Sequence, residues 1–479
     1  MRAVANFGGN ICFRPRCLYA PRTDDEVLRI LNDHRDGAIR VVGAGHSWNP
    51  GIESTDALID LKHICHVHVD GDSTRVTVGA GVRIGALLKH LSQRGLTLPS
   101  LGLIDRQTIA GAVATGTHGS GRHSMSHYVE AMRIACYGAD GGAKVRTVGS
   151  GTLLRGARCS VGALGVVLEV TLQCVPQYYV RERCRWRPGL DAVLESEPEA
   201  PLQQFYLMPH AWTYLAHERR VAEENRRAGW AALYRVYWLT FIDVLLHVCV
   251  KFCASLMRSR RLVHVLYRRL VPAYIFPRWR VTDRSDRQLL MRHDLFRHLE
   301  MEAFVRRGHL AAAVDFVSEV LRLADDEDHE LSAAVQSRID SLCAGAALDA
   351  LRGSFVHHYP ICVRRVRPDD TLISMSSCSG MSEQDWYAIS LITLTEPREP
   401  FLRVAAFLAE TMTPLFGARL HWGKWFPSGV ECHYPELGAF KEICEEFDPR
   451  GVFRNGFLER TVFGRQPGAD QAQGSEPIG

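Results

Sequence analysis

The sequence has little net charge, no regular cysteine pattern and no recognisable leader. Its 479 residues carry a formal net charge of +4, which gives the chain no general attraction to nucleic acid. The 14 cysteines include no C-x-x-C pair and no metal-ligand spacing, and we interpret them as reduced thiols rather than a disulfide framework. Residues 10–16 are polar and basic where a secretory leader needs an apolar core. These absences favour a globular, cytoplasmic protein without a metal or nucleic-acid partner.

A glycine turn follows a short apolar segment early in the chain, in Val41-Val42-Gly43-Ala44-Gly45-His46-Ser47. Because Gly43 and Gly45 carry no Cβ, the backbone can turn tightly there and approach a ligand, and successive N–H groups in such a turn can bind an anion. Trp48 occupies the third glycine position of the dinucleotide fingerprint G-x-G-x-x-G, which excludes that motif. By itself this pattern is also compatible with an ordinary structural turn.

Two further glycine clusters extend the pattern. The run 111–121 is rich in glycine and hydroxyl residues, which favours neither a stable helix nor a packed strand. It suits a backbone that donates hydrogen bonds to a phosphate or a flat ring. The alternative is a flexible surface loop, but the neighbouring Ile109 and Val113 are too apolar for a solvated linker. The third cluster, 160–165, leads into 168–172, which alternates in the manner of a strand.

These clusters, in this order, resemble the flavin-dependent sugar-lactone and polyol oxidases of the vanillyl-alcohol-oxidase superfamily. Three more segments strengthen the resemblance: Asn6-Phe7-Gly8-Gly9-Asn10, His421-Trp422-Gly423-Lys424 and Asp448-Pro449-Arg450-Gly451-Val452-Phe453-Arg454-Asn455. Matching segments run from about residue 6 to about residue 460. The chain is therefore similar to L-gulono-1,4-lactone, D-arabinono-1,4-lactone and alditol oxidases over nearly its whole length.

The resemblance implies an α+β, two-domain FAD-binding PCMH-type fold. We expect residues 1–176 to form the FAD-binding domain, 177–415 a substrate-capping domain, and 416–464 a segment that returns to the flavin domain. The tail 465–479 is rich in Gly, Gln, Pro and Ala and is expected to be disordered. The pattern of apolar residues predicts helices at Asp24–Asp33, Ile84–Arg94 and Leu310–Ala324.

The resemblance assigns the glycine-rich positions to FAD binding. His46 matches the histidine that in this family bonds covalently to the flavin 8α-methyl group, and we expect that bond here, with non-covalent FAD as the alternative. Gly102 matches the residue that controls access of O2 to the flavin, and a glycine there favours an oxidase that releases H2O2 over a dehydrogenase. The expected cofactor-binding residues are Val42, Gly43, Ala44, Gly45, His46, Ser47, Gly102, Thr108, Gly111, Thr115, Gly116, Thr117, His118, Gly162, Val167 and His421.

Two cations are expected to act at the flavin. Lys424 matches a lysine at the flavin N1–C2 edge, where a positive charge stabilises the reduced, anionic flavin. Arg364 matches the arginine of a Glu-x-Arg motif that orients the substrate hydroxyl. Cys362 replaces the glutamate of that motif, so we expect the carboxylate partner of the arginine to be missing, and no catalytic base is evident. The candidate substrate contacts are Arg364, Lys424, Cys362 and Ser390, while Leu103 replaces a substrate-contacting serine of the polyol oxidases.

The segment from Trp230 to Arg258 predicts one long helix with a broad apolar face and a narrow polar stripe. Residues 251–287, which overlap its end, contain ten Lys or Arg and two Asp. Asp243 and Lys251, near the middle of the helix, argue against a transmembrane span. One interpretation is a buried helix of the capping domain with a solvated basic loop. We favour the other, a helix lying in a membrane surface with its basic flank on anionic lipid.

We therefore expect an FAD-dependent oxidoreductase that transfers a hydride from an alcohol carbon of a sugar lactone or polyol to flavin N5, with O2 as electron acceptor. Three alternatives stay open. The substrate is a lipid-linked sugar, the enzyme oxidises a non-sugar alcohol or amine in a biosynthetic pathway, or the chain binds flavin without turnover at a membrane surface. The replacement of the family glutamate by Cys362 favours a departure from the usual sugars.

Overall fold

The helices and strands form two blocks that line a large cavity from both sides. The first block holds the elements from Val4 to Pro176, and the second holds those from Tyr179 to Phe416. The computed structural model describes residues 3–71, 74–224, 226–276, 279–291, 295–378, 384–430 and 433–464. Helices, parallel strands and antiparallel strands occur together in these residues, which confirms the predicted α+β class. The tail 465–479, which we expect to be disordered, lies outside the described residues.

The first block contains a parallel sheet that carries the glycine turn. Strand Ile39–Val42 pairs with Ala57–Asp60, which pairs on its other side with Cys17–Tyr19. The strand ends directly before Gly43, where the sequence predicts the turn. Helix Asp24–Asp33 is present as predicted, because Thr23 caps its first turn by accepting a hydrogen bond from the Glu26 N–H.

A five-stranded antiparallel sheet forms the rest of the block's framework. The predicted alternation at 168–172 is confirmed, since Val170 and Leu172 are buried while Glu169 and Thr171 are partly exposed. Its strands, in spatial order, are Ala143–Val148, Val129–Tyr137, Val166–Gln173, Arg75–Gly79 and Val67–Val69. Short strand pairs and helices complete the block: Val4–Ala5 with Cys12–Phe13, Leu96–Thr97 with Val175–Pro176, Ile84–Ser92, Ile109–Ala114 and Gly151–Ala157.

Two local predictions are corrected. The helix expected at Ile84–Arg94 ends two residues earlier, at Ser92, before Gly95 takes a left-handed φ of +68°. The run 111–121 was expected to avoid helix, yet Ile109–Ala114 is a short helix. Ile109, Ala112 and Val113 are completely buried in it, so packing outweighs the low helix propensity of glycine.

The second block is built on a sheet with eight strands in the described part of the chain. Every pairing in it is antiparallel, and the spatial order is Arg280–Arg284, Tyr179–Arg187, Thr213–Val221, Gln204–Met208, Ile361–Val366, Trp386–Leu394, His298–Arg306 and Arg419–Leu420. The predicted helix Leu310–Ala324 is confirmed and extends to Asp325. It packs with Glu399–Phe416, and shorter helices lie at Leu190–Leu194, Ser285–Gln288, Ala333–Ser341 and Gly345–Asp349.

A helical hairpin, residues 231–276, packs on the sheet of this block. Its first arm is continuous from Ala231 to Leu256, which confirms the single long helix predicted from sequence. The second arm runs from Arg260 to Tyr274. The arms are antiparallel, because segment 251–256 contacts segment 260–265 next to the turn while the Tyr237 hydroxyl donates to the carbonyl of Tyr274 at 2.7 Å.

Residues 416–464 contact both blocks. Arg419–Leu420 pairs with strand His298–Arg306 at the edge of the eight-stranded sheet, while the Ile39 N–H donates to the carbonyl of Val452 at 2.9 Å. Two helices follow, Leu437–Phe447 and Gly456–Thr461. This segment therefore ties the strand before the glycine turn to the sheet that forms the opposite wall of the cavity.

Candidate active site

A cavity of about 440 Å³ collects residues from both blocks. Its wall includes the glycine turn, one face of the eight-stranded sheet, the inner side of the helical hairpin and the segment 421–424. Of the predicted cofactor and substrate residues, Gly116 alone does not line it. Those that do are Val42, Gly43, Ala44, Gly45, His46, Ser47, Gly102, Thr108, Gly111, Thr115, Thr117, His118, Gly162, Val167, Cys362, Arg364, Ser390, His421 and Lys424.

The wall contributed by the first block is made largely of backbone. A Cβ on Gly43 would lie 2.1 Å from Thr108 Oγ1, and a Cβ on Gly102 would lie 2.7 Å from Thr117 Cγ2. Gly45 has a φ of +70°, in the left-handed region that glycine favours. A larger residue would collide at Gly43 and Gly102 and would be strained at Gly45, which leaves a backbone surface of the kind that binds a diphosphate or the face of a flavin.

Arg40 holds this wall together, and sequence reasoning missed it. Its guanidinium is buried and donates to the carbonyls of Gly51 at 2.6 Å, Val161 at 2.8 Å and Gly162 at 3.1 Å, and also to that of Phe453. Burial lowers the pKa of Arg40 to about 10, so it stays charged at neutral pH. The available signal was an arginine inside the apolar strand 39–42, where a charge persists only if its donors are satisfied.

The Asn-Phe-Gly-Gly-Asn segment near the N-terminus fixes the glycine turn. Asn6 Nδ2 donates to the carbonyl of Ser47 and Asn10 Nδ2 to that of Trp48, both at 2.8 Å, while the Phe7 N–H donates to the carbonyl of Gly45 at 2.7 Å. The Phe7 ring lies 4.8 Å from the His46 ring. His46 is therefore held at the cavity wall by a constrained loop.

One face of the eight-stranded sheet supplies the polar centre of the cavity. Tyr206, Cys362, Ser390 and Glu302 are direct cross-strand partners and form a single row over four strands. Arg364 lies two residues from Cys362 and therefore on the same face. Its Nη2 donates to Glu302 Oε1 at 2.6 Å, and the Ser390 hydroxyl donates to the same oxygen at 2.7 Å.

Glu302 overturns the expectation that Arg364 lacks a carboxylate partner. Position 362 no longer carries it, but Glu302, at the far end of the same row, lies beside the guanidinium and is only 1% exposed. Burial by itself would raise the pKa of Glu302, yet Arg364 and His118 outweigh it and hold that pKa well below its usual range. The pair is therefore ionised. Two glutamates at alternate positions of one apolar strand, 300 and 302, were the signal for it.

Two histidines beside Glu302 have tautomers fixed by their neighbours. His118 Nδ1 donates to the carbonyl of Gly119 at 3.0 Å, which leaves a lone pair on Nε2, 3.3 Å from Glu302 Oε1. His421 Nδ1 accepts from the Gly423 N–H at 2.8 Å, so its Nε2 carries the proton and faces Glu302 Oε2 at 3.9 Å. Burial lowers both pKa values, so both rings are neutral at physiological pH. His118 Nε2 is thus a buried proton acceptor next to a carboxylate.

Lys424 reaches the cavity from the segment that follows strand Arg419–Leu420. The Trp425 N–H donates to the carbonyl of Glu300 at 2.9 Å, which aligns this segment with strand His298–Arg306. Lys424 Nζ pairs with the Glu300 carboxylate and lies 4.4 Å from the centre of the Trp48 ring. The cation is partly exposed to the cavity and anchored on both sides.

Beyond the polar centre the cavity lining is mostly apolar, although His217, Asp243, His247 and Tyr359 also contribute to it. Cys362 is buried, and burial raises the pKa of its thiol to about 11, so it is an uncharged, weakly polar group. Leu103 also lies in the wall, where the polyol oxidases have a serine. The inner side of the hairpin closes this part of the cavity. The apolar residues that line this part, from the hairpin and from its neighbours, are Met208, Leu215, Trp238, Ile242, Leu246, Val271, Ile275, Met291, Phe296 and Ile392.

Two clusters of potential metal ligands occur in the described residues, which spacing in the sequence could not reveal. One is His118, Glu302 and His421, where the Arg364 guanidinium already neutralises the carboxylate. The other, His210, His264 and Asp325, ties the second arm of the hairpin to helix Leu310–Asp325, because His264 Nε2 lies 2.6 Å from Asp325 Oδ2. This hydrogen bond accounts for the second arrangement, and in the first the carboxylate is paired with Arg364.

Solved structures that share this fold include cholesterol oxidases. The chain superposes on a cholesterol oxidase from B. sterolicum with a TM-score of 0.72 over 96% of each chain, at 15% sequence identity. A solvent-stable cholesterol oxidase gives a TM-score of 0.71. At this identity the likeness establishes the FAD-binding PCMH-type fold predicted from sequence and nothing about the substrate.

Sequence comparisons extend over nearly the whole chain. Curated relatives include a long-chain alcohol oxidase from an uncultured marine euryarchaeote, 47% identical over 458 residues that cover 94% of this chain and 95% of that protein. L-gulonolactone oxidase from Mus musculus is 26% identical, covering 94% and 96% of the two chains. Alditol oxidase from a Streptomyces strain is 26% identical, covering 96% and 99%.

Two family models also match. Residues 15–144 match the FAD binding domain, and residues 170–461 match the D-arabinono-1,4-lactone oxidase family. The second match alone covers more than half of the chain, and residues of both matched regions line the cavity described above. The chain therefore belongs to the D-arabinono-1,4-lactone oxidase family of FAD-dependent oxidoreductases.

Proposed function

We propose that the protein is an oxidase of long-chain aliphatic alcohols. The reaction converts a primary alcohol and O2 to the aldehyde and H2O2. The observation that carries the proposal is the apolar continuation of the cavity from Arg364 to the inner side of the hairpin. An alkyl chain gains free energy from burial there, at roughly 0.8 kcal/mol per methylene, whereas the hydroxyls of a sugar lactone would lose hydrogen bonds to water with only partial replacement.

The replacement of the family glutamate by Cys362 supports the same substrate class. A carboxylate at this position would bind several hydroxyl groups of a polyol, while a neutral thiol suits the first methylenes of an alkyl chain. Glu302 compensates for the lost charge, because it keeps Arg364 paired and ionised. The long-chain alcohol oxidase at 47% identity is consistent with this reading.

The polar centre would bind and deprotonate the hydroxyl. Arg364 orients the alcohol oxygen, and His118 Nε2 accepts its proton. The imidazolium so formed would be stabilised by Glu302, whose Oε1 lies 3.3 Å away. The backbone wall at Gly43 and Gly102 would hold FAD, which would supply the hydride acceptor for the alcohol carbon and an electron donor for O2. Lys424 supplies the positive charge that favours the reduced flavin.

We propose further that FAD is attached covalently through His46, and that O2 is the acceptor. His46 lies in a loop held by Asn6, Asn10 and Phe7, and such positioning favours one reactive geometry. Gly102 fits closely against Thr117, so the cavity wall carries no side chain at this position. Relatives that are named oxidases support O2 as the acceptor.

Anaerobic reduction of the bound flavin tests the substrate class directly. The purified protein is mixed without O2 with dodecan-1-ol, ethanol or L-gulono-1,4-lactone, and the visible absorbance of the oxidised flavin is followed. We expect rapid bleaching with dodecan-1-ol and far slower bleaching with the other two. The variant R364Q should bind FAD normally and bleach slowly with all three. Faster bleaching by the lactone than by dodecan-1-ol would reject the proposal.

A further inference from the structure

The exposed apolar surface of this protein is concentrated on the helical hairpin. Fourteen of the 17 exposed large hydrophobic side chains in the described residues lie between Trp230 and Phe276. Leu233, Val236 and Leu256 are 60%, 58% and 73% exposed. Scattered apolar residues are normal on soluble proteins, but a contiguous segment of this kind marks an interaction surface.

The first arm is oriented with its apolar side outward. Leu246, Val250 and Cys253 pack inward at spacings of three and four residues, and Asp243 and His247 lie in the cavity wall. The predicted polar stripe thus turns partly toward the protein. A helix whose outer side faces water carries its polar side outward and its apolar side inward. This arm has the opposite arrangement and is therefore adapted to apolar surroundings on its outer side.

The same arm is long and apolar enough to cross a bilayer, but its contacts argue against crossing. Trp238 stacks on His217 at 5.0 Å, and the Tyr234 hydroxyl donates to the buried Glu182. Together with Leu246 and Val250, these contacts seat the arm on the second block over most of its length. A helix that lies along a folded domain in this way can enter only one leaflet of a membrane.

The charges of the hairpin identify its partner. Residues 230–276 contain seven Lys or Arg and a single acidic residue, Asp243, which faces the cavity. The exposed cations are Lys251, Arg258, Arg260, Arg261, Arg268 and Arg269. A two-fold dimer would place this surface against itself and bring cations against cations. An anionic surface with an apolar interior is the complementary partner.

We propose that the hairpin is a monotopic docking surface for a bilayer that contains anionic lipid. The outer side of both arms enters the acyl region, and the exposed arginines and lysine contact the phosphate groups. This docking proposal depends only on the hairpin surface and not on the proposed function. If the proposed function also holds, an alcohol dissolved in the bilayer reaches the active site past the residues that form the cavity wall, such as Ile242 and Val271.

Co-sedimentation of the FAD-loaded, full-length protein with vesicles tests the docking. Vesicles of phosphatidylcholine alone are compared with vesicles in which about a third of the lipid is phosphatidylglycerol. We expect strong binding to the anionic vesicles and weaker binding to the neutral ones. Added salt should reduce the difference, and the variant K251Q/R258Q/R261Q should bind anionic vesicles roughly fivefold more weakly for each charge removed.

The apolar contribution is tested by a matched pair of variants. V248E/F252E changes two outward residues that are 51% and 49% exposed, whereas L18E/V221E changes two residues of similar exposure, 45% and 41%, outside the hairpin. We expect the first variant to lose binding by roughly tenfold or more and the second to retain it. Both should remain folded, which the flavin spectrum and melting temperature would verify.

Other results would overturn the docking proposal. If the wild type does not sediment with either vesicle, or if V248E/F252E binds as well as L18E/V221E, the surface does not serve membranes. If instead the wild type is a dimer that V248E/F252E converts to a monomer, a second copy covers it. Because no substrate is present, failure of alcohol oxidation leaves these outcomes unchanged, and the two proposals fail independently.

Discussion

Neutralising Glu302 should separate the structural and catalytic contributions of the polar centre. In E302Q the buried Arg364 loses its carboxylate, and breaking a buried ion pair from one side costs about 3–5 kcal/mol. For a chain of this length, unfolding entropy scales to a shift of roughly 1 °C in melting temperature per kcal/mol, so a fall of about 3–5 °C is expected. His118 also loses the anion that stabilises its protonated form, and kcat should fall by about 10²–10⁴-fold.

The double variant E302Q/R364M makes this prediction falsifiable. Removing both charges leaves no uncompensated ion, so its melting temperature should lie above that of E302Q, while activity stays lost. Differential scanning calorimetry and anaerobic flavin bleaching measure the two quantities on the same samples. If R364M lowered the stability of E302Q by as much as it lowers the stability of the wild type, the two residues would not be coupled. The assignment of Glu302 as the partner of Arg364 would then be wrong.

Three further predictions concern the cavity, the flavin link and the pH profile. I242W narrows the apolar part of the cavity and should lower kcat/KM for dodecan-1-ol at least about tenfold while sparing butan-1-ol; V244W, on the exposed side of the same helix, should change neither rate. After acid precipitation the wild type should remain yellow, whereas H46A should release its flavin to the supernatant; release from both would reject the covalent link. The pKa values of His118 and His421 lie below the ordinary 6.5, and that of Cys362 is about 11. Both imidazoles and the thiol are therefore in their neutral, active forms between these limits. We expect kcat/KM to be flat from about pH 7 to pH 10 and to fall only below pH 7. An acid limb centred near pH 8 would contradict the proposed role of His118.

Much of the first block could be predicted from local sequence. The glycine turn after strand Ile39–Val42 follows from Gly43 and Gly45. A Cβ on Gly43 would collide with Thr108, and Gly45 takes a positive φ that glycine favours. Helix Asp24–Asp33 follows from its cap and its apolar spacing. The first arm of the hairpin could also be predicted, because a continuous apolar segment of 26 residues favours a single long helix.

The polar centre could not be predicted in the same way. Glu302 meets Arg364 only because strand Trp386–Leu394 lies between their strands and places Ser390 in register with both Cys362 and Glu302. That register is set by the whole sheet, over separations of dozens of residues, and leaves no local trace. The helix Ile109–Ala114 was missed for a related reason, since burial of one face outweighed the propensity of its glycine.

The chain-length dependence of alcohol oxidation tests the central claim most directly. H2O2 release is measured for primary alcohols from ethanol to dodecan-1-ol and for L-gulono-1,4-lactone under identical conditions. Burial of each methylene in the apolar cavity predicts that kcat/KM rises by up to about fourfold per carbon, with the lactone among the poorest substrates. A profile that is flat with chain length, together with faster oxidation of the lactone, would contradict the account.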